Sequence, residues 1–248
     1  RKVILNAADQ GIIFGTPLFT SDLEHFIFSG STPRDRSNLY YWNGKDELKK
    51  LTDLNPGLET TLLGRQEVIR YKARDGQEIE GILIYPVNYE AGRSYPLVLY
   101  VHGGPESHET NGWKSRYSTP GQVMAGKGYL VLYLNYRAST GRGVAFSKLN
   151  QGRPAAEEFD DLVDGVDHLV AIGLVDTDRV GITGGSYGGY ASMWSASALT
   201  EEYAAAVAFP NPSRLRSVPS MAADAPRSES PREGSAFPDH WSEGSRCG

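Results

Sequence analysis

The chain has 248 residues, of which 40% are hydrophobic and 22% charged, the proportions of an ordinary soluble globular protein. Its net charge of -5 gives no electrostatic case for binding nucleic acid, and no apolar run approaches the roughly 20 residues of a membrane span. Residues 1–5 are too few for a signal-peptide core, which favours a cytoplasmic location, although the chain does not begin with Met and its true start is expected to be missing. Cys247 is the single cysteine, so the sequence excludes an internal disulfide and a thiolate metal cluster.

Residues 1–65 are predicted to be all-β. Short apolar runs separated by turn residues occur at 12–14, 18–20, 25–28, 38–42 and 48–51. Asn43-Gly44, after the run at 38–42, is a strong hairpin signal. Ser29-Gly30-Ser31 is expected to end the run at 25–28. Such strands suit a sandwich, a barrel or propeller blades, although one or two blades cannot close a propeller. His25 has no partner histidine nearby, so we interpret it as structural rather than as a metal ligand.

From about residue 66 the pattern becomes that of an α/β domain. Two strands, 68–72 and 78–85, are joined at Asp75-Gly76, a turn signal. Continuous apolar runs, typical of strands buried on both faces, follow at 96–101, 129–134, 180–183 and 204–209. Buried strands that alternate with helices predict a parallel sheet with its ligands at the carboxyl ends of the strands.

A helix is predicted between the second and third of these runs. Its apolar residues recur at helical spacing: Phe159, Leu162, Val163, Val166, Leu169 and Val170. Glu157 and Glu158 open its acidic first turn, where they complement the helix dipole, and Gly173 is the expected C-terminal cap. The helix also carries the acidic run Asp160, Asp161, Asp164 and Asp167. That spacing does not match a calcium-binding EF-hand loop, so we interpret the run as a solvated face, and His168 as a surface residue.

The sequence Gly184-Gly185-Ser186-Tyr187-Gly188 fits G-x-S-x-G, between a strand predicted at 179–183 and a helix predicted at 190–199. In that context the motif is a sharp turn that presents a nucleophilic serine, here Ser186. Gly185 and Gly188 are expected to supply room, because a side chain at either would collide with the neighbouring strand or helix. The amide of Tyr187 is the expected oxyanion donor. A P-loop would need Gly-Lys-Ser/Thr and a dinucleotide turn would need G-x-G-x-x-G, and neither is present.

A second glycine-rich loop, His102-Gly103-Gly104-Pro105, follows the first buried strand. In hydrolases of this architecture such a loop supplies the second oxyanion donor. We predict the amide of Gly104 for that role, with Gly103 as the alternative. His102 precedes the serine, whereas the chain order in this fold is Ser, Asp/Glu, His, so we give it a supporting role in shaping the loop rather than that of general base.

Six separated motifs carry a family resemblance: Leu51-Thr-Asp-Leu-Asn-Pro56, Asp75-Gly76 with Glu80-Gly81, His102-Gly-Gly-Pro105, Asn135-Tyr-Arg-Ala-Ser-Thr-Gly141, Asp178-Arg179-Val180 and Gly184-Gly-Ser-Tyr-Gly-Gly-Tyr190. Over most of residues 35–209 they resemble the prolyl oligopeptidase family of serine peptidases, near its dipeptidyl aminopeptidase and acylaminoacyl-peptidase branch. The resemblance implies a β-propeller before an α/β-hydrolase domain, short peptides as substrates, Ser186 as nucleophile, and the Tyr187 and Gly104 amides as oxyanion hole. Ala138 stands where the family usually has glycine and is expected to shift its loop slightly. Endopeptidase and exopeptidase action both stay open.

Residues 210–248 do not look like α/β sequence. They hold six prolines, eight serines, five arginines and no isoleucine, a composition unable to bury a core. The triad Asp and His of this fold would need two more helix-and-strand units, so we expect them to be absent and do not assign them to Asp224, Asp239 or His240. We therefore expect an irregular tail that is not native family sequence, such as an out-of-frame translation. The other two reading frames of the coding DNA past codon 209 test this hypothesis. If neither frame encodes strands that end in Asp and His, the hypothesis is disproved.

The predicted organisation is thus a propeller remnant at 1–65, an incomplete α/β-hydrolase domain at 66–209 and a tail at 210–248. The predicted function is that of a serine peptidase that forms an acyl-enzyme on Ser186, with a peptide substrate, no cofactor or metal, and an open oligomeric state. Without a base, Ser186 keeps the low reactivity of an alcohol, so little or no activity is expected of this chain. The alternatives are a carboxylesterase on the same fold and a non-catalytic remnant.

Overall fold

The computed structural model describes residues 11–22, 24–45, 48–116 and 118–209, and these form two β-sheets. The strands of the small sheet are β1 (Ile13–Phe14), β2 (Leu18–Phe19), β3 (Phe26–Ser31), β4 (Asn38–Trp42) and β5 (Lys49–Lys50). Those of the large sheet are β6 (Gln66–Lys72), β7 (Glu78–Ile84), β8 (Tyr95–Val101), β9 (Leu130–Asn135), β10 (Val175–Gly185) and β11 (Ala205–Phe209). The helices are α1 (Gly121–Gly126), α2 (Val144–Ser147), α3 (Glu157–Ala171) and α4 (Tyr187–Ala198), with a 3-10 turn at Pro56–Leu58. Asp224, Asp239, His240 and Cys247 lie outside the described residues.

The small sheet is antiparallel and follows the order β1-β3-β4-β5, with β2 also paired to β3. Its inward side chains form an aromatic core, as alternation along a half-buried strand requires: Phe26, Phe28, Tyr40 and Trp42. The expectation that Ser29-Gly30-Ser31 ends the strand after Phe28 is wrong, because β3 includes these three residues and Gly30 pairs with Asn38. Gly30 is small for a packing reason, since a Cβ there would lie 2.7 Å from the Ile12 side chain.

The large sheet has the order β11-β10-β8-β9-β7-β6. Strands β8 to β11 run parallel to one another, whereas β7 is antiparallel to both β6 and β9. The predicted turn at Asp75-Gly76 joins β6 to β7, and Gly76 has a φ of 85°. The parallel part of the sheet agrees with the α/β fold class, and the β6–β7 hairpin makes the whole sheet mixed.

Burial differs between the strands that were expected to be buried on both faces. All six residues of β9 are buried, whereas alternate residues of β8 are only half-buried. The expectation that β11 is buried on both faces is wrong. Its residues are mostly exposed, with Val207 at 54% and Phe209 at 58%. The reason is its position at the edge of the described sheet, where β10 is its paired neighbour.

Two of the four acids expected on a solvated face of α3 are buried. Asp161 is 0% exposed and accepts three bonds from Arg137, from Nε at 2.9 Å, from a terminal nitrogen at 2.6 Å and from the backbone N–H at 2.8 Å. Arg137 also donates to Asp75 at 2.7 Å. Asp164 accepts the backbone N–H and Nε of Arg74 at 2.8 and 2.7 Å. A buried carboxylate is stable only when it is paired, so these contacts join α3 to the large sheet.

His168 is half-buried and stacks on Tyr71, with ring centroids 5.5 Å apart, so its assignment to the open surface needs correction. The C-terminal cap of α3 is confirmed, because Gly173 has a φ of 74° and donates its N–H to the carbonyl of Val170 at 2.8 Å. No helix within the described ranges combines the length and apolar character that crossing a bilayer demands.

Candidate active site

Ser186 lies alone between a strand and a helix, because β10 ends at Gly185 and α4 begins at Tyr187. The helix therefore starts three residues before the predicted Tyr190. Ser186 has a φ of 56° and a ψ of -117°, a conformation that residues with a side chain rarely adopt. Main-chain hydrogen bonds hold it on both sides: its N–H donates to Phe209 at 3.0 Å and its carbonyl accepts the N–H of Tyr190 at 3.0 Å. The serine side chain is left exposed.

Glycines make this sharp turn sterically possible. A Cβ on Gly188 would lie 1.9 Å from the carbonyl oxygen of Val101, so the collision expected there is present. At Gly185 it is absent, because the nearest atom to an added Cβ is 3.9 Å away, an ordinary contact. The second crowded glycine is instead Gly184, where a Cβ would lie 2.3 Å from the same Val101 oxygen. The first glycine of G-x-S-x-G is thus the one that the β8–β10 approach requires.

The loop after β8 passes directly beside the serine. A Cβ on Gly103 would lie 3.1 Å from the Cβ of Ser186 and 3.7 Å from its Oγ, so the main chain at Gly103 borders the hydroxyl. Gly104 has a φ of 131° and is exposed, and a Cβ there would lie 2.5 Å from the nitrogen of Glu106. The Gly-Gly pair therefore allows both the close approach and the turn that follows it.

His102 is buried beneath this loop, with 3% of its surface exposed. Its Nδ1 lies 2.9 Å from the carbonyl oxygen of Gly103, its Nε2 lies 2.9 Å from the Oγ of Ser139, and its ring stacks on Tyr136 at 4.4 Å. Because a carbonyl can only accept, Nδ1 carries the proton, and Nε2 of the neutral ring accepts from the Ser139 hydroxyl. Burial lowers the pKa of His102, which favours that neutral form. Both ring nitrogens are thus engaged, Nδ1 by the loop itself and Nε2 by Ser139.

Ser139 belongs to the segment after β9, in which Ala138 has an unusual conformation. Ala138 has a φ of 81°, is fully buried and donates its N–H to Phe146 at 3.2 Å. A left-handed conformation costs a residue with a Cβ about 1–2 kcal/mol, which explains why glycine would suit this position. The alanine therefore occupies the backbone conformation that glycine adopts without strain.

Tyr187 directly follows Ser186, and its hydroxyl lies 2.5 Å from the Oε1 of Glu158. Glu158 is 0% exposed and also accepts the N–H groups of Ala155 at 2.6 Å and Ala156 at 3.1 Å. Burial, followed by the bond to Glu158, raises the pKa of Tyr187 far above its ordinary value. Sequence reasoning missed this contact, because Glu158 in a first helical turn is explained equally well by the helix dipole.

Two other features lie away from Ser186. The acidic and imidazole ligand atoms of Asp22, Glu24 and His25 are within 4.8 Å of one another, but the Nδ1 of His25 lies 2.6 Å from the Tyr41 hydroxyl, which supports a structural interpretation. A groove of about 620 Å³ runs along β8, β10 and β11, and its lining includes Leu97, Ile182 and Val207 but not Ser186.

Residues 115–215 match the protein-family model described as the prolyl oligopeptidase family. Among curated relatives, dipeptidyl aminopeptidase BIII of Pseudoxanthomonas mexicana is 35% identical over 177 residues, and the uncharacterized peptidase YuxL of Bacillus subtilis is 37% identical over 175. This chain belongs to the prolyl oligopeptidase family. The relatives are serine peptidases. This is the same class of enzyme that the sequence predicts for this prolyl oligopeptidase family member.

Solved structures of this family support the assignment. The acylaminoacyl peptidase of Pyrococcus horikoshii is 32% identical with a TM-score of 0.61, and the match covers 69% of this chain and 27% of that one. A putative dipeptidyl aminopeptidase IV from Bacteroides ovatus is 25% identical with a TM-score of 0.68, covering 82% and 29%. The matches to the two curated relatives cover 69% and 70% of this chain and only 25% and 26% of theirs. The chain thus spans about a quarter of the length of its family relatives.

Proposed function

We propose that this chain carries the nucleophile of a serine peptidase, and that Ser186 attacks the carbonyl carbon of a short peptide to form an acyl-enzyme. The observation that carries this proposal is the conformation of Ser186, exposed at a positive φ between β10 and α4, with the main chain at Gly103 beside its Oγ. A strained, exposed serine at the end of a buried strand is the arrangement that presents a nucleophile in α/β hydrolases.

The N–H groups of Tyr187 and Gly104 are the proposed oxyanion donors, with Gly103 as the alternative to Gly104. His102 holds the carbonyl of Gly103 at 2.9 Å. In a trans peptide the carbonyl and the following N–H point in opposite directions, so this bond directs the Gly104 N–H away from His102. The loss of one such donor typically slows the chemical step by about 10²–10³-fold.

The histidine that would complete a triad does not come from the described chain after the serine. Between Ser186 and Phe209 the sequence holds neither histidine nor aspartate. The proton of the serine hydroxyl must pass to a base when the carbon–oxygen bond forms, so a chain without that base is expected to react slowly. An oxyanion hole alone can still leave about 10³–10⁴-fold acceleration over water.

Short peptides are the proposed substrates, as the names of the relatives suggest. Dipeptidyl aminopeptidase BIII is named for removing dipeptides, and one acylaminoacyl peptidase structure contains a chloromethyl ketone of the peptide Z-Gly-Gly-Phe. We further propose that residues 1–65 are the last part of a β-propeller and residues 66–209 part of the catalytic domain, with 210–248 outside both. The antiparallel succession of β3, β4 and β5 in the small sheet is what supports a propeller blade.

A carboxylesterase on the same fold is the second candidate, because the Ser186 turn serves esterases equally well. The two functions differ in the bond that is cleaved. Hydrolysis of aminoacyl naphthylamides in preference to short acyl esters supports the peptidase, and the reverse preference supports the esterase.

Prolonged labelling with excess fluorophosphonate, followed by intact-mass measurement, tests the central assignment. We expect slow addition of one label to the wild-type chain and none to Ser186→Ala. Ser197→Ala is the matched control, because Ser197 is an exposed serine on the same helix whose Oγ bonds only to main-chain carbonyls at 3.1 Å. Equal labelling of wild type and Ser186→Ala would rule the proposal out. Rapid labelling of the wild-type chain would show that a base is present.

A further inference from the structure

Glu158 is a buried carboxylate that the proposed chemistry does not use. It is 0% exposed and lies in the first turn of α3, 28 residues before Ser186 in the sequence. A carboxylate removed from water is stable only when hydrogen bonds replace its hydration. Here all three close donors are neutral: two main-chain N–H groups and one phenol, that of Tyr187. The Nδ2 of Asn150 lies farther off, at 3.5 Å. Tyr187 is therefore the one close side-chain donor to Glu158, and it adjoins the nucleophile.

The bond between Tyr187 and Glu158 is short for a hydroxyl donor. Its oxygen–oxygen distance is 2.5 Å, the length of a charge-assisted O–H···O⁻ bond. The carboxylate of Glu158 is itself held in place, because the N–H groups of Ala155 and Ala156 donate to its two oxygens separately, at 2.6 and 3.1 Å. Tyr187 is thus bound to an anchored group rather than to a mobile one.

The ring of Tyr187 is held as well as its hydroxyl. It packs against Phe159 and Tyr190, with ring centroids 5.8 Å away in both cases. Together with the hydroxyl bond, this packing fixes the Cα of residue 187. The peptide between residues 186 and 187 is planar, so fixing that Cα also limits how the N–H of Tyr187 can turn.

We propose that Glu158 is a positioning residue, which holds the hydroxyl of Tyr187 and thereby aligns the Tyr187 N–H for the oxyanion that forms at Ser186. This inference rests on the proposed function, since it needs Ser186 as the nucleophile. It assigns the side chain of Tyr187 to alignment of its own main chain, while the phenol stays away from the substrate. Glu158 touches no reacting atom and acts through Tyr187 alone.

A spectroscopic signature tests the contact without requiring any reaction. A phenol proton held between Tyr187 and a buried carboxylate is expected to exchange slowly and to give a proton resonance downfield of the amides. The resonance should be present in the wild-type chain and in Tyr190→Phe, a control tyrosine on the same helix. It should be missing from Tyr187→Phe and displaced in Glu158→Gln. Its persistence in Tyr187→Phe overturns the inference.

The rate of Ser186 labelling by excess fluorophosphonate tests the consequence. We expect Tyr187→Phe and Glu158→Gln each to slow it about tenfold, part of the loss that follows complete removal of a donor. The double variant should be no slower than either single variant, because both changes break one contact. Glu157→Gln, a change to the neighbouring acid in the same turn, should leave the rate unaltered.

The possible failures are distinguishable. Wild-type labelling no faster than that of Ser186→Ala overturns the proposed function and the inference with it. Labelling that depends on Ser186 but is unchanged in Tyr187→Phe and Glu158→Gln overturns the inference alone. A labelling rate in the double variant that falls by the product of the two single effects also overturns the inference alone, because it shows that Glu158 acts independently of Tyr187. Tyr187→Phe keeps its ring and removes only one oxygen, so it decides the matter even if Glu158→Gln fails to fold.

Discussion

Two of the acids that helix α3 buries, Glu158 and Asp161, lie three residues apart and have different partners. Asp161 faces the guanidinium of Arg137, whereas Glu158 faces the phenol of Tyr187 and two main-chain N–H groups. Both are 0% exposed. The charge-paired acid joins the helix to the end of β9, and the acid held by neutral donors supports the turn at Ser186. Burial alone therefore does not tell a residue that stabilises the fold from one that shapes the candidate site.

Among variants that test the difference between these two acids, the largest expected effect is a loss of folding stability. Asp161→Ala removes the buried partner of Arg137 and leaves that cation with Asp75, which is half exposed. Removal of one partner from a buried pair typically lowers the free energy of unfolding by about 3–5 kcal/mol. Denaturant unfolding measures the loss.

Asp160→Ala is the control for that variant. Asp160 lies on the same helix, in a half-exposed ion pair with Arg74 at 3.3 Å, and exposed pairs contribute only about 0–1 kcal/mol. Equal losses in the Asp160 and Asp161 variants would contradict the difference between the two environments.

The next effect concerns the approach of β8 to the turn. Gly188→Ala would place a Cβ 1.9 Å from the oxygen of Val101, so the strand and helix must separate. Overpacking of this kind typically costs about 1–3 kcal/mol, and here it should also slow Ser186 labelling. Gly126→Ala, in α1 with no atom within 4 Å of the added Cβ, should instead raise stability by about 0.5–1 kcal/mol. A Gly188→Ala chain as stable and reactive as wild type would disprove the steric account.

The smallest effect is a pH dependence from His102. Burial lowers its folded-state pKa below the unfolded value of about 6.5, so the unfolded chain binds a proton that the folded chain does not. Unfolding free energy should therefore fall as the pH drops below about 6.5, by at most ~1.4 kcal/mol per pH unit. Denaturant titrations between pH 7 and 5 on wild type and His102→Gln should show a shallower dependence in the variant. Identical pH profiles would indicate that His102 binds its proton equally well in the folded and unfolded chains, which contradicts the lowered pKa.

Much of the fold follows from local pattern. The apolar runs predict β8 to β10, the 3.6-residue period predicts α3, and the turn signal at Asp75-Gly76 predicts the β6–β7 hairpin. These features depend on neighbours in sequence. The exposure of β11 depends on which strand lies beside it, so its apolar composition alone gave the wrong environment.

The candidate site was partly predictable for the same reason. The motif identifies Ser186, but which glycine is crowded depends on the carbonyl of Val101, more than eighty residues earlier in the sequence. Asp161 and Glu158 look alike in the sequence, as acids near the start of a helix. Their burial follows from partners at positions 137 and 187, which no periodicity on α3 can reveal.

The most direct test of the central claim is a crystal structure of the chain after phosphonylation. The claim predicts a phosphorus bonded to the Oγ of Ser186, with the phosphonyl oxygen about 2.7–3.1 Å from the nitrogens of both Tyr187 and Gly104. An adduct on another residue, or an oxygen directed to solvent with neither N–H in reach, would contradict it. An oxygen bonded to the nitrogens of Tyr187 and Gly103 would keep the nucleophile and replace the second donor.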